Sequence, residues 1–288
     1  MCRLFALTAA PNRIHATFWL IDAKDSLAQQ SRRDPDGTGV GTFDPDGQPR
    51  VDKQPLAAYQ DEAFATEAKQ LQSTTFLAHV RFASTGEVAL RNTHPFCQHG
   101  RLFAHNGAFG DLPRLEAELG EYRSLVEGDT DSERLFALIT KHIDGNGGDV
   151  GAAITSAVDW VASSLPVRAL NLIVTTPTEL WALRYPATNE LMVLERRPGG
   201  THGGRHLEHA SAAGTIRVRS GHLASAPSVV VASEAMDENP HWRMVEPGEL
   251  LHVDDHLGVH SKIIIDRPPD RLLADADIQH PAGPPLQI

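Results

Sequence analysis

Met1-Cys2-Arg3-Leu4-Phe5-Ala6-Leu7-Thr8 is the stretch around which the rest of the chain is organised. Loss of Met1, usual when the second residue is small, makes Cys2 the N-terminus. One residue then carries both a thiol and a free α-amine. An α-amine titrates at roughly 7.7–8.0 and a thiol at about 8.5, so both sit near neutrality. The amine can take the thiol proton, directly or through a water, and the thiolate can attack a carbonyl. No other residue need supply the base. Residues 2–8 read as a short strand with Pro11 just beyond it, so a nucleophile here is held by the ladder beside it. Many chains begin Met-Cys by chance, and the pair needs support from elsewhere.

That support is spread along the chain. Thr75-Phe76-Leu77-Ala78-His79-Val80 is a strongly apolar strand that delivers Arg81-Phe82-Ala83-Ser84-Thr85-Gly86 at its end. Asn92-Thr93-His94-Pro95 follows, and then a strand over 102–109 with His105-Asn106-Gly107 inside it. Thr130-Asp131-Ser132-Glu133 reads as a helix start: Thr130 is the cap, and Glu133 three residues on completes a capping box. Leu135, Leu138 and Ile139 continue that helix to about His142, and further helices are expected near 113–119 and over 149–165. Upstream, the loose spacing of Ile14, Phe18, Ile21 and Leu27 predicts a helix over 13–30, and 58–72 also reads as helical. Gly37-Thr38-Gly39-Val40-Gly41 has neither the lysine nor the spacing of a phosphate loop. It reads as a turn into a strand that packs closely against another backbone, with a hairpin turn at Asp44-Pro45-Asp46-Gly47. Beyond Arg168 the pattern is mainly strands. Those over 170–175, 180–185 and 191–195 read as a meander, and 228–233, 250–253 and 259–265 follow. The segment 198–224, rich in Gly and His, reads as a surface loop.

Taken together, Cys2, the stretch His79-Val80-Arg81-Phe82-Ala83-Ser84-Thr85-Gly86, Asn92-Thr93-His94-Pro95, His105-Asn106-Gly107 and Thr130-Asp131-Ser132-Glu133 resemble the motifs of the class II glutamine amidotransferases, in that family's order. The resemblance implies the N-terminal-nucleophile hydrolase fold. This is an α+β, four-layer αββα sandwich of two antiparallel sheets with helices outside. It also implies roles. Cys2 looks like the nucleophile that forms a γ-glutamyl thioester from a side-chain amide, which water then cleaves. The Asn106 side chain and the Gly107 backbone N–H look like the oxyanion hole, where a donor is worth about 2.7–4 kcal/mol. Arg81 looks like the clamp on a substrate α-carboxylate, for which a guanidinium fork is suited. Asp131 looks like the acceptor for the α-ammonium. Ser84 and Thr85, where sugar-phosphate amidotransferases tend to carry a Thr-His pair, are further substrate-binding candidates. The resemblance covers about residues 2–265 as one domain. It leaves 266–288 as a Pro-rich tail, on the surface or poorly ordered, with no room for a synthase domain. It therefore points to the stand-alone YafJ-type branch, related to the γ-glutamyl amidohydrolase of ergothioneine synthesis. Ser31-Arg32-Arg33-Asp34-Pro35-Asp36-Gly37, and Ser233-Glu234 near Trp242, fit that branch.

Composition narrows the alternatives. Among 288 residues, 41% hydrophobic and 22% charged is ordinary for a globular protein. A net charge of −11 argues against nucleic acid as a partner. No apolar run approaches the ~20 residues of a membrane span, so no membrane partner is expected. With no visible signal peptide and only Cys2 and Cys97 as cysteines, a cytoplasmic location is expected. His202, His206 and His209 lie close in sequence, but zinc needs fixed ligand geometry, and no metal or cofactor is expected. His79, His94 and His105 are expected to pack and hydrogen-bond near the site rather than to act as base. The leading expectation is a cysteine amidohydrolase acting on glutamine or a γ-glutamyl compound. A glutaminase subunit supplying ammonia to a separate synthase, and a non-catalytic binding module, are the alternatives.

Overall fold

Strand β1 (Arg3–Thr8) shows how the layers arise. Leu4 and Ala6 face one side and pack with Leu77, Leu102, Ala104, Ile173 and Leu251. Phe5 and Leu7 face the other and pack with Trp19, Leu20, Leu27, Phe64 and Phe76. Side chains alternate along a strand, so a strand apolar at four successive positions, Leu4 to Leu7, is covered on both faces. The chain is a computed structural model that describes residues 2–83, 86–198, 208–210, 217–219 and 226–274.

The strands after β1 are β2 (Thr38–Phe43), β3 (Pro49–Gln54), β4 (Thr75–Val80), β5 (Phe96–Gln98), β6 (Arg101–Phe109), β7 (Pro166–Thr175), β8 (Leu180–Leu183) and β9 (Met192–Arg196). Then come β10 (Glu208–Ala210), β11 (Arg217–Arg219), β12 (Ser228–Ala232), β13 (Arg243–Met244), β14 (Glu249–Val253), β15 (Val259–Ile263) and β16 (Arg271–Leu272). One sheet runs β13-β9-β12-β1-β4-β2-β3, antiparallel throughout. The other runs β15-β14-β8-β7-β6-β5, also antiparallel, with β16 added parallel to β7. Helices α1 (Leu27–Gln30) and α2 (Glu62–Gln70) cover the outer face of the first sheet, and α3 (Leu112–Leu119), α4 (Asp131–Gly145) and α5 (Val150–Ser164) that of the second. The four-layer α+β sandwich is therefore the observed architecture. Each large side chain in these layers, such as Phe76 or Phe103, contributes roughly 1.5–3 kcal/mol by burial.

Several local expectations hold. A Cβ on Gly39 would lie 2.1 Å from His94 O, and one on Gly41 2.7 Å from Leu102 Cδ1. The glycines of β2 are what let it lie against the 94–95 backbone and β6. Thr130 Oγ1 accepts from Glu133 N at 3.3 Å, as a cap should. Only half of the capping box forms, because the Glu133 carboxylate accepts instead from Glu127 N at 3.1 Å and Gly128 N at 2.7 Å.

Three expectations are corrected. Residues 13–30 are not one helix. A π-helical turn at Phe18–Asp22 and the short α1 are separated at Ala23, whose ψ of 154° is extended. The strands from 170 to 195 are not one meander. β7 and β8 pair, but β9 joins the other sheet beside β12, and β14 takes the place next to β8. Most of 198–224 lies outside the described residues, but within it β10 and β11 form an antiparallel ladder rather than only a loop. In the tail, Asp270 N donates to Ala162 O at 2.9 Å and Leu273 N to Val167 O at 3.0 Å, so residues 266–274 dock along β7 and α5. Residues 275–288 lie outside the described part of the chain.

Candidate active site

Cys2 lies at the foot of β1, and Arg81 follows β4 where Arg3 and Val80 are paired. That register places the two ends side by side. Cys2 Sγ lies 3.3 Å from both the N–H and the carbonyl oxygen of Phe82. The residue keeps intermediate exposure, yet protein surrounds the sulfur closely enough that desolvation pushes the thiol up to about 11. The Phe82 N–H and the Arg81 charge pull the other way without reversing this. At rest Cys2 is a thiol, and a base is needed before it can attack.

Arg81 is 3% exposed and spans the gap between two loops. Its backbone N donates to Gly37 O at 2.8 Å, and its own carbonyl accepts from Asp36 N at 3.1 Å. Nη1 donates to Glu87 O at 2.9 Å and Nη2 to Gly86 O at 3.2 Å. Burial lowers its pKa, while Cys2, Asp36 and Asp131 act to raise it, which places all three within its electrostatic reach. A guanidinium remains charged under such conditions.

In the second sheet, Asn106 sits in β6 opposite Asn171 and Gly107 opposite Leu170. A Cβ on Gly107 would come within 1.9 Å of Ala169 O, so only glycine fits there. Asp131 opens α4 and is 2% exposed. Its Oδ2 accepts from Phe109 N at 3.2 Å and its Oδ1 from Ser132 N at 2.8 Å. The start of α4 is thereby tied to the strand that carries Asn106 and Gly107. Arg134 holds the preceding turn: Nη1 donates to Thr130 O at 3.0 Å and Nε to Glu116 Oε1 at 2.8 Å. The two sheets pack together where β1 and β4 meet β6. Arg81 thus lies within electrostatic reach of both Cys2 and Asp131, and Asp131 is bonded to the strand that carries Asn106 and Gly107. Ser84 and Thr85 lie outside the described residues.

Three buried histidines surround this region. His105 Nε2 lies 3.3 Å from Ala169 O, and its Nδ1 lies 2.9 Å from Ser132 Oγ. A carbonyl only accepts, so Nε2 carries the proton and Nδ1 is left as an acceptor facing the Ser132 hydroxyl, which also lies 3.3 Å from Asp131 Oδ1. His79 and His94 pack ring to ring at 4.2 Å. Burial holds His79 down to about 3 and His94 well below the usual imidazole value, with Arg81 adding to both; burial also lowers His105, against Asp131. All three are neutral near pH 7. His105 hydrogen-bonds as expected, while His79 and His94 act by packing. The two cysteines are free thiols, and the described residues hold no cluster of metal-ligating side chains. His202 and His206 lie outside the described residues. No helix among the described residues is long and apolar enough to cross a membrane.

The supporting role of Arg3 escaped the sequence reading, and its partners lie in the two stretches matched to the stand-alone branch, around Asp34 and Ser233-Glu234. Arg3 donates from Nε to Glu234 Oε1 at 2.9 Å, from Nη1 to Cys2 O at 3.3 Å, and lies 3.6 Å from Asp34 Oδ2. Ser233 exchanges hydrogen bonds with Leu4, 2.9 Å to its Oγ and 3.0 Å from its N. The segments around Asp34 and Ser233-Glu234 thus clamp the strand that carries Cys2. Asp36 Oδ2 accepts from Ala83 N at 2.9 Å and fixes the turn on which Phe82 stands. Arg3 is adjacent to Cys2 in the sequence, and that adjacency was the available signal.

The family model described as glutamine amidotransferases class-II matches residues 1–269. The chain is 32% identical over 138 residues to the probable glutamine amidotransferase DUG3 of Saccharomyces cerevisiae, covering 43% of this chain but 39% of that protein. It is 28% identical over 268 residues to the gamma-glutamyl-hercynylcysteine sulfoxide hydrolase of Mycolicibacterium smegmatis, covering 88% of this chain and 96% of that one. Among solved structures it resembles glutamine phosphoribosylpyrophosphate amidotransferase from B. subtilis, with a TM-score of 0.63, 19% identity, and coverage of 93% of this chain and 50% of the other. That likeness establishes the fold alone. The chain thus spans half or less of the length of two of these three proteins.

Proposed function

The chain belongs to the class II glutamine amidotransferases and is an enzyme, and on that premise we propose that it is a cysteine-dependent amidohydrolase cleaving a γ-glutamyl amide through a thioester on Cys2. Residues 2–265 form the catalytic domain in this reading, and 266–288 an appended tail. The observation that carries it is Cys2 Sγ held at 3.3 Å from Phe82 N, beside an Arg81 that lies within the field of both Cys2 and Asp131. Arg81 takes the substrate α-carboxylate and Asp131 the α-ammonium, two charges that orient the side-chain amide toward the sulfur. With Met1 removed, the α-amine of Cys2 accepts the thiol proton as Sγ attacks the carbonyl carbon. The oxyanion rests on Asn106 Nδ2–H and Gly107 N–H. The C–N bond then breaks, and the leaving amine takes the proton back from the α-ammonium. Water, deprotonated by the same amine, opens the thioester to release a γ-carboxylate and the thiol.

We assign the substrate class as γ-glutamyl amides, with support from the mycobacterial hydrolase, which matches over nearly the full length of both chains. Membership of the class II amidotransferases supports a second reading, a glutaminase that supplies ammonia to a synthase partner. The test compares protein with an uncleaved N-terminal tag against the same protein cleaved to a Cys2 terminus, on glutamine and a panel of γ-glutamyl compounds. Cleaved protein should be active and should show a mass increase of one glutamyl group on Cys2 after rapid acid quench. Equal activity with and without the tag would refute the α-amine mechanism. Activity that appears only when a synthase is added would favour the second reading.

A further inference from the structure

Asn189 stands between β8 and β9 and is 3% exposed. Its backbone carbonyl is fixed twice, by Arg184 Nε at 2.8 Å and by Asn171 Nδ2 at 3.3 Å. Asn171 Nδ2 also donates to Glu190 O at 3.1 Å, and Asn171 Oδ1 accepts from Tyr185 N at 3.0 Å. Arg184 reaches Val245 O at 2.9 Å and Ala187 O at 3.0 Å. Two buried side chains thus pin this loop through carbonyls, without using the Asn189 amide. That amide is directed at one residue: Asn189 Nδ2 donates to Asn106 O at 3.2 Å and to Asn106 Oδ1 at 3.4 Å.

Donor logic fixes both amide orientations. A backbone carbonyl only accepts, so Asn189 must present its NH2 to Asn106 O. The same NH2 faces the Asn106 side chain, which must therefore present Oδ1. Asn106 Nδ2, the other arm of that amide, is turned away from Asn189. Turning either amide over would set two donors or two acceptors against each other in a buried place. Asn189 Oδ1 is itself buried with no hydrogen-bond partner among the described residues. The arrangement satisfies Asn106 and leaves Asn189 incomplete.

We infer that Asn189 is a positioning residue whose amide holds Asn106 Nδ2 ready for the developing oxyanion. This rests on the oxyanion role of Asn106 proposed above. Asn189→Asp keeps the size and replaces the donor with a carboxylate oxygen. An acceptor facing Asn106 O and Oδ1 turns the Asn106 amide around and points Oδ1 at the substrate carbonyl. For glutamine, or the best γ-glutamyl substrate, kcat should fall about 10²-fold or more, the range for one lost oxyanion donor, with KM changed by no more than about threefold. In an Asn106→Ala background the same change should cost nothing further, since the donor it orients is gone. Circular dichroism and the thermal midpoint report whether each variant is folded. If Asn189→Asp does not fold, Asn189→Ala runs the same cycle, because the loop is pinned through backbone carbonyls. A folded Asn189 variant with unchanged kcat, or losses that multiply in the double variant, would overturn the inference. Unchanged kcat in Asn106→Ala would instead overturn the oxyanion reading, whatever the Asn189 variants do.

Discussion

Replacing Gly107 by alanine tests the fold and the site together. A Cβ there would come within 1.9 Å of Ala169 O, 2.5 Å of Ala169 C and 2.6 Å of His105 Nε2. The two nearest atoms are backbone of β7, so no rotamer change relieves the clash. A carbon–oxygen contact settles at about 3.3 Å, and β6 must therefore move by more than about 1 Å from β7. Neighbours on both faces resist that move: Phe103 packs among the helices, and Ala104 between the sheets. Overpacking of this kind costs about 3 kcal/mol or more. For a chain of this size that is a fall of roughly 6–12 °C in melting midpoint. Displacing the proposed oxyanion donors by 1 Å should lower turnover about 10²-fold even in the protein that remains folded. The control is Gly145→Ala at the end of α4, where a Cβ would have no neighbour within 4 Å. Alanine there should leave the midpoint unchanged or stabilise by up to about 1 kcal/mol. Thermal unfolding by circular dichroism and steady-state kinetics read both variants. A Gly107→Ala protein that melts within about 2 °C of the parent, with parent turnover, would show that β6 and β7 tolerate a side chain here and would refute the reasoning.

Arg81→Lys loses the fork that reaches Glu87 O and Gly86 O, so KM should rise about tenfold or more with a smaller change in kcat, read from steady-state kinetics. Thr130→Ala removes the cap that accepts from Glu133 N and should cost about 1 kcal/mol, measured by urea unfolding. Because Asp131 follows that cap, its KM should rise as well, and an unchanged KM would separate helix capping from substrate binding. In protein that retains Met1, burial pushes the Cys2 thiol up to about 11. Alkylation of the Cys2 peptide by iodoacetamide, followed by mass, should then be slow at pH 7 and climb about tenfold per unit from pH 8 to 10. A rate already level below pH 8 would contradict the buried-thiol account.

What could be read from the sequence was what local rules control. The start of α4 was legible because a threonine cap and a carboxylate three residues on act within one turn. β1, β4 and β6 were legible because each is short, apolar and bounded by turn residues. The close approach of β2 followed from its glycines. Sheet membership was not legible. β9 pairs with β12, more than thirty residues later, and nothing within Met192–Arg196 distinguishes that partner from β8. The helix expected over 13–30 failed because the apolar spacing was right while the backbone turns extended at Ala23. In the site, the motif residues were placed by their family pattern. Arg3 and Asn189 were not, since the partners that define them, the Glu234 side chain for Arg3 and Asn106 for Asn189, lie far away in the sequence.

The histidines decide which group can take the proton in the proposed mechanism. Moving a proton from a thiol near 11 to an imidazole near 3, as at His79, is uphill by on the order of 10 kcal/mol. An ordinary α-amine, at roughly 7.7–8.0, is a far stronger base than such an imidazole, and its proximity to Sγ within one residue avoids the cost of bringing a base into place. Burial is the main cause of the depression of His79 and His94, and Arg81, the proposed substrate clamp, adds to it. Both rings are buried beside Arg81, whose charge opposes any second cation. On the proposed reading, the Arg81 charge that takes the substrate carboxylate also helps to keep the imidazoles out of the proton transfer. It follows that Arg81→Met should raise the pKa of His79, observable by NMR titration of its ring protons, as well as weaken substrate binding. A His79 pKa that stays put while KM rises would separate the clamp from the choice of base.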